Sequence, residues 1–276
     1  MMFNFIDILS VLKWYIIMVC RRITDRAFND ALQKNKSLYN KHKGERCFVV
    51  GNGPSLKNMD LSRLKSEYCF TVNTIFRAEE IFKSINSDFH VLVDPNFANY
   101  SEEQAEDLVA NITRWNKNII LITEYWSNNI YSKYIKNNLY QVYSHRKWTK
   151  HNKIKLDSNL LLCQNVVQVA IYAAIYMGFK EIILIGCDMT SFYENFAANA
   201  GRCVSYHVYD MTEETKKRYQ TSKSAHDNTY MLKDYAITFD IFKKIANYAD
   251  ENGIKIINAT EGGILDMFAR QNFQDL

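Results

Sequence analysis

Five short polar stretches each follow directly on an apolar run: Gly51-Asn52-Gly53-Pro54-Ser55, Asn73, Asp94-Pro95, Asp188 and Asn258-Ala259-Thr260. In the first, two glycines let backbone approach a ligand closely, and Pro54 removes one donor and stiffens the turn. Ser55 can cap a helix that includes Leu56 and Lys57, and N–H groups at a helix start favour phosphate. A plain tight turn would use the same residues. The stretch has neither a GxGxxG nor a GxxxxGK[ST] pattern, so neither dinucleotide nor P-loop chemistry is indicated.

Asn73 can donate and accept toward a pyrimidine edge or a phosphate, and it can equally cap a helix. Asp94 could hold a metal or bond a sugar hydroxyl, although Asp before Pro is also common in turns. Asp188 follows a very apolar run; it is either a buried acceptor for backbone N–H groups or a catalytic carboxylate. The region Met189–Lys223 is long, polar and aromatic, with Tyr193, Arg202, Tyr206, His207 and Tyr209. It reads as a lid over the site, spanning about residues 189–225. His226 stands where a long helix begins; it either deprotonates an acceptor hydroxyl or is a surface residue beside Asp227 or Asn228 as that helix's cap. No DxD triplet occurs. Paired carboxylates hold a metal on many nucleotide-diphosphate leaving groups, so a nucleoside monophosphate leaving group fits better, and no metal ligands are expected.

These residues need strands to place them. Cys47–Val50, Tyr68–Val72, His90–Val93, Asn118–Thr123, Glu181–Gly186 and Ile254–Asn258 are short apolar runs with strand character. Helical spacing is expected near Ile75–Ile85, over Glu102–Thr113, over Asn165–Met177 with Gly178 as its stop, and over Thr229–Asp250. Short strands alternating with helices predict an α/β, Rossmann-like domain, with a mainly parallel sheet covered on both faces. In such sheets ligands bind beyond the carboxyl ends of the strands, where the five polar stretches fall.

The chain has 276 residues and only 9 Gly and 2 Pro, which leaves little room for linkers or low-complexity tracts. The expected division is residues 1–44 as a helical segment and 45–276 as the catalytic domain. Six cysteines include no CxxC pair, which argues against thiolate zinc, and Cys47, Cys69 and Cys187, in apolar strand-like runs, read as small buried hydrophobes in a reducing compartment. From Arg21 to Arg46 eight Lys or Arg face three acids. Such a segment attracts anionic lipid or nucleic acid, or forms a solvated helix face.

Phe3–Cys20 is apolar but carries Asp7 and Lys13, too interrupted for the ~20 residues that span a bilayer. Trp14 and Tyr15 near Arg21 and Arg22 suit a helix lying in a membrane interface. Packing on the domain or on a second copy is the alternative.

Val49–Leu61 (VVGNGPSLKNMDL), Phe70–Asn73 (FTVN), Met177–Asp188 (MGFKEIILIGCD) and Ile254–Phe268 (IKIINATEGGILDMF) together resemble bacterial sialyltransferases of the Campylobacter type. They equally resemble the related motility accessory factor and archaeal 6-hydroxymethylpterin pyrophosphokinase-like group, toward which Asn258–Gly263 leans. The sialyltransferase resemblance implies that Asn52 and Asn73 contact CMP and that Asn165 takes the polar place at the start of the next helix. It implies tyrosines on the leaving phosphate soon after Asp188, where Thr190 stands and Tyr193 is nearby. It also implies a downstream base, His226.

Gly51, Asn52, Gly53, Pro54, Ser55, Asn73, Asp94, Asn165 and Asp188 therefore form the expected nucleotide site, and His226, Tyr193 and Arg202 the catalytic set. The expected activity is transfer of sialic acid or a related acidic nonulosonate from a CMP-linked donor to a surface-glycan or lipid-linked acceptor. It needs no cofactor beyond the donor and sits at the inner face of the cytoplasmic membrane. Expected partners are the nucleotide sugar, the glycan acceptor, that membrane surface and a second copy of the chain, but no nucleic acid. The alternatives are an ATP- and Mg²⁺-dependent pterin pyrophosphokinase, with Asp94 and Asp188 as ligands, and a non-catalytic glycan-assembly scaffold.

Overall fold

Alternation along the strands sorts side chains to two faces. In β1 (Arg46–Val50), Cys47 and Val49 point to one core and Phe48 and Val50 to the other. The same holds in β7 (Glu181–Ile185), where Ile182 and Leu184 oppose Ile183 and Ile185. Strands buried on both faces are what a parallel sheet covered by helices requires.

The computed structural model describes residues 5–126, 130–148, 152–200, 202, 204–213, 216–217 and 227–276. Among these, nine strands form one sheet in the order β6-β5-β4-β3-β2-β1-β7-β8-β9, and every neighbouring pair is parallel. The others are β2 (Tyr68–Val72), β3 (Phe89–Leu92), β4 (Ile120–Glu124), β5 (Leu139–Arg146), β6 (Asn159–Leu161), β8 (Lys255–Asn258) and β9 (Ala269–Arg270). The chain steps outward from β1 to β6, then returns to place β7 on the other side of β1. That reversal leaves a crevice between the β1 and β7 ends, where open α/β sheets bind ligands.

The return is made by α5 (Val166–Met177), buried almost all round. Asn165 and Gln168 form a capping box at its start, and Gly178, at φ 92°, ends it. Gln168 also donates to Thr238 O at 2.9 Å, tying α5 to the long helix α7 (Asn228–Glu251). Beyond these, α3 (Glu79–Ile85) and α4 (Glu102–Ile112) cover the opposite face. The helix expected near Ile75–Ile85 is split at Ala78 into a 3₁₀ turn and α3. Three strands go beyond the sequence reading: β5, β6 and β9, the last of which follows what was read as the final strand. The region read as one long lid loop contains a helix, α6 (Phe192–Asn199).

At the N-terminus, α2 (Arg26–Lys34) buries Phe28 and Leu32, with Phe28 edge-on to Tyr143 of β5. The preceding helix, α1 (Phe5–Thr24), buries Met18 and exposes Leu12, Tyr15, Ile16, Val19 and Ile23. No helix among the described residues is long and apolar enough to cross a membrane.

Candidate functional site

A cavity of about 160 Å³ opens where β1 and β7 end. Gly51, Asn52, Gly53, Asn73, Asn165 and Asp188 line it together with Gly186, Thr190, Tyr206 and His207. Six of the nine residues expected to bind nucleotide are thus brought to one cavity.

The glycines are there for the neighbouring strand. Gly51 and Gly53 donate to Ile185 O and Gly186 O at 2.9 and 2.8 Å. A Cβ on Gly51 would lie 2.3 Å from Gly186 O, and one on Gly53 would lie 1.7 Å from Asp188 Oδ2. The close approach read as room for a ligand is made by the β7 turn.

Nor is Ser55 the cap of the following turn. It lies inside the 3₁₀ turn Pro54–Asn58, whose cap position is Gly53. Its N–H and hydroxyl donate to Asp188 Oδ1 and Oδ2 at 3.2 and 2.7 Å. Asp188, 6% exposed, thus places its own carboxylate at the helix start where a phosphate was expected. Burial pushes its pKa up, against the hydrogen bonds from Ser55. Ile264 N donates to Asp188 O at 2.9 Å, so the Asn258–Gly263 stretch wraps this residue. Asn258 and Thr260 are themselves buried, and they bond Leu265 O and Cys187 N.

Asn52 and Asn73 differ from these. Each has a buried Oδ1 with no hydrogen-bond partner among the described residues, and such groups in a cavity wall point to a ligand donor. Asn73 sits at φ 46°, a left-handed conformation that asparagine tolerates better than most residues. His90 holds it there: Nε2 donates to Asn73 O at 2.8 Å, and Nδ1 accepts from Thr71 Oγ1 at 2.9 Å. Burial lowers His90 to about 4, so it stays neutral and keeps both bonds. Asn165 is used differently, since its Oδ1 accepts from Val167 N at 2.8 Å as the α5 cap.

A second cavity, of about 580 Å³, adjoins the first and shares Asn73, Asn165 and Val166 with it. It lies over the ends of β3 to β6, lined by Asp94, Glu124, Tyr125, Trp126, Ser144, His145 and Cys163 among others. Asp94 accepts from Asn96 N at 2.9 Å and caps a 3₁₀ turn. Glu124 accepts from the N–H and hydroxyl of Ser144 at 3.0 and 2.6 Å. Burial nevertheless raises it to about 7, within reach of acid–base work at neutral pH. Nδ1 of His145 lies 3.7 Å from Glu124 Oε1.

Neither Glu124 nor His145 was singled out from sequence. Glu124 ends the run Asn118–Thr123, so the strand-end rule applied there would have found it. His145 lies on β5, a strand the apolar pattern did not show.

Of the catalytic set, His226 lies outside the described residues. Tyr193, 44% exposed, packs on Phe192 and Tyr206, and neither it nor Arg202 lines either cavity. Within residues 189–225 the structure instead brings Tyr206 and His207 into the first cavity's lining, with Glu194 bonded to His207 and Tyr209 to Asn52. Val208 N donates to Asn52 O at 2.8 Å, and the Tyr209 hydroxyl lies 2.7 Å from Thr74 Oγ1.

The 6-hydroxymethylpterin diphosphokinase MptE-like family matches residues 23–194, more than half of the chain. No curated protein matches. Among solved structures, the chain is similar to the sialyltransferase CstII from Campylobacter jejuni in complex with the substrate analogue CMP-3FNeuAc. That match has 15% identity and a TM-score of 0.47, covering 82% of this chain and 85% of that one. CstII in complex with a trisaccharide acceptor and CMP matches at 16% identity and a TM-score of 0.49, over 82% and 85% of the two chains. The monofunctional α-2,3-sialyltransferase Cst-I from the same organism matches at 15% and 0.46, over 80% and 78%.

Proposed function

We propose, for a chain that belongs to the 6-hydroxymethylpterin diphosphokinase MptE-like family, the activity of a glycosyltransferase that moves a sugar from a CMP-activated donor to a glycan acceptor. The observation that carries this reading is the pair of buried, unpartnered amide oxygens of Asn52 and Asn73 in the wall of the switch-point cavity. A cytosine amino group and a ribose hydroxyl are donors of the kind both oxygens lack. The adjoining cavity supplies room for the sugar beside the nucleotide, with Glu124, His145 and Trp126 in its wall.

His226 is the proposed acceptor base: His226→Ala should abolish transfer and leave CMP binding intact. The carboxylate of an acidic nonulosonate needs hydrogen-bond donors and is repelled by other carboxylates. The described lining of the second cavity offers Asp94 and Glu124, with His145 as its one basic side chain. Neutral CMP-sugars therefore belong beside the acidic ones as test donors.

The second reading, a diphosphokinase using ATP and Mg²⁺, is favoured by the family's description. It would call on Asp94 and Asp188 as metal ligands, and both carboxylates already accept bonds from their own chain. A thermal-shift panel of CMP, CDP, UDP, GDP and ATP, with Mg²⁺ and with chelator, separates the two readings. Stabilisation by CMP in chelator supports transfer from a CMP-sugar. Stabilisation by ATP alone, and only with Mg²⁺, replaces it with the diphosphokinase.

The exposed stripe of α1, with Ile23 79% exposed, together with Lys13 and Arg26 supports attachment to the inner face of the cytoplasmic membrane. Sedimentation with anionic vesicles should be lost on Ile16→Glu together with Ile23→Glu.

A further inference from the structure

Nδ1 of His207 lies 2.7 Å from Glu194 Oε1. The same oxygen accepts from Tyr206 N at 2.6 Å, and Glu194 is 2% exposed. A carboxylate removed from water and bonded to an imidazole fixes which ring nitrogen is engaged. The ring also stacks on Tyr209, at 5.2 Å and 28° between planes. Tyr209 in turn bonds Thr74 and accepts from Asn52 Nδ2 at 3.4 Å. The imidazole is therefore held from α6, from its own segment and through the β1 and β2 turns. With Nδ1 engaged, Nε2 is the nitrogen left to meet a ligand.

The first cavity's described lining contains one carboxylate, Asp188, and no Lys or Arg. His207 is the one described lining side chain that can carry a positive charge. A nucleotide brings a phosphate into that cavity, and the helix start that would have served it is filled by Asp188.

We propose that His207, positioned by Glu194, contacts the nucleotide phosphate and stabilises it as the leaving group. This rests on the nucleotide-sugar reading above. In the transfer, the acceptor oxygen bonds the anomeric carbon and its proton passes to the base. The bond from the anomeric carbon to the phosphate oxygen breaks, its electron pair stays on that oxygen, and CMP departs. With Nδ1–H given to Glu194, His207 acts as the doubly protonated imidazolium, and its Nε2–H donates a hydrogen bond to the developing charge. Glu194 is a positioning residue, since it acts only through the imidazole.

The test is calorimetric binding of CMP and of cytidine to the full chain, to His207→Asn and to His207→Gln. Loss of one charge-assisted hydrogen bond predicts CMP affinity about tenfold to a hundredfold weaker in both variants, with cytidine affinity and the circular dichroism spectrum unchanged. For Glu194→Gln, CMP affinity should fall while cytidine affinity holds, and the ring ¹⁵N resonances of His207 should move. Unchanged CMP affinity in the His207 variants overturns the proposal. So does a wild-type chain that binds CMP no more tightly than cytidine. A wild-type chain that binds neither overturns the nucleotide reading itself, and this proposal with it.

Discussion

The two adjoining cavities share Asn73, Asn165 and Val166, yet they are built on different principles. The first is small because β1 and β7 end within touching distance, and its floor is glycine backbone against Gly186 and Asp188. Its open hydrogen-bonding groups are amides whose oxygens have no partner among the described residues. The second is over three times larger, at about 580 against 160 Å³. Its walls are acids and aromatic rings, and its carboxylates are already bonded to their own chain. A tight, pre-formed frame with unmet acceptors selects one ligand by hydrogen-bond pattern. A roomier space with a carboxyl near neutrality suits a group that is held loosely and reacts.

The sharpest break of this contrast is steric. Gly53 has φ −70° as the cap of its turn, so its need for glycine is not conformational. A methyl group there meets the Asp188 carboxylate at 1.7 Å. Gly53→Ala should cost about 3 kcal/mol or more, read by urea unfolding, and should abolish nucleotide binding. Trp126→Ala in the roomier cavity should cost clearly less. Equal losses would mean the first cavity is no more tightly built than the second.

Next come two groups, buried His90 and half-buried Glu124, that respond to pH in opposite directions. His90, beneath the first cavity, is lowered to about 4 from an ordinary 6.5. As pH falls through 6.5 the unfolded chain takes up this proton first, so stability is lost between pH 6.5 and 4. Glu124, in the second, is raised to about 7 from an ordinary 4.5. The unfolded chain releases that proton first as pH rises, so stability is lost between pH 4.5 and 7. Each gap corresponds to about 3 kcal/mol at most, and the two largely cancel in the wild type. Glu124→Gln should expose a loss on acidification, and His90→Gln a loss on raising the pH. Urea midpoints measured from pH 4.5 to 7 check both; parallel profiles for the two variants would refute the opposition.

How much of this contrast could be read from residues alone follows from the same physics. The first cavity sits on β1, β2 and β7, whose apolar runs are unbroken because both faces are buried, and on α5, bounded by Asn165 and Gly178. Those signals placed Asn52, Asn73 and Asp188 at strand ends. The second cavity rests on β5, where Gln141, Ser144, His145 and Arg146 interrupt the apolar pattern, and on β6, three residues long. Neither gives a run to detect, so His145 stayed hidden, whereas Glu124 ends β4, whose run was read, and was missed because the strand-end rule was not carried to it. What sequence could not supply anywhere was partnership. The engagement of Asp188 by Ser55 joins positions 133 residues apart, and it turns an expected phosphate site into a filled one. The α6 helix was missed for a related reason, since its segment is polar and aromatic and no apolar stripe sets it apart from a loop.

Asn73→Gly tests the first cavity's amide directly. Glycine keeps the left-handed backbone at φ 46°, and the oxygen it removes has no partner among the described residues, so stability should change little. CMP affinity should fall about tenfold, the value of one hydrogen bond that leaves a ligand donor unmet. An equal loss of affinity and of stability would mean the amide supports the turn and not the ligand.

The smallest effect belongs to the second cavity. Trp126 presents an aromatic surface there, and the apolar face of a sugar ring covering about 40 Å² of it would contribute about 1 kcal/mol. Trp126→Ala should therefore weaken binding of a CMP-sugar about fivefold and leave CMP itself unaffected. Asn73→Gly should weaken both alike, since the amide acts on the part the two ligands share. If Trp126→Ala weakens CMP as strongly as the CMP-sugar, the two cavities form one site, and the division between a frame for the nucleotide and room for the sugar does not hold.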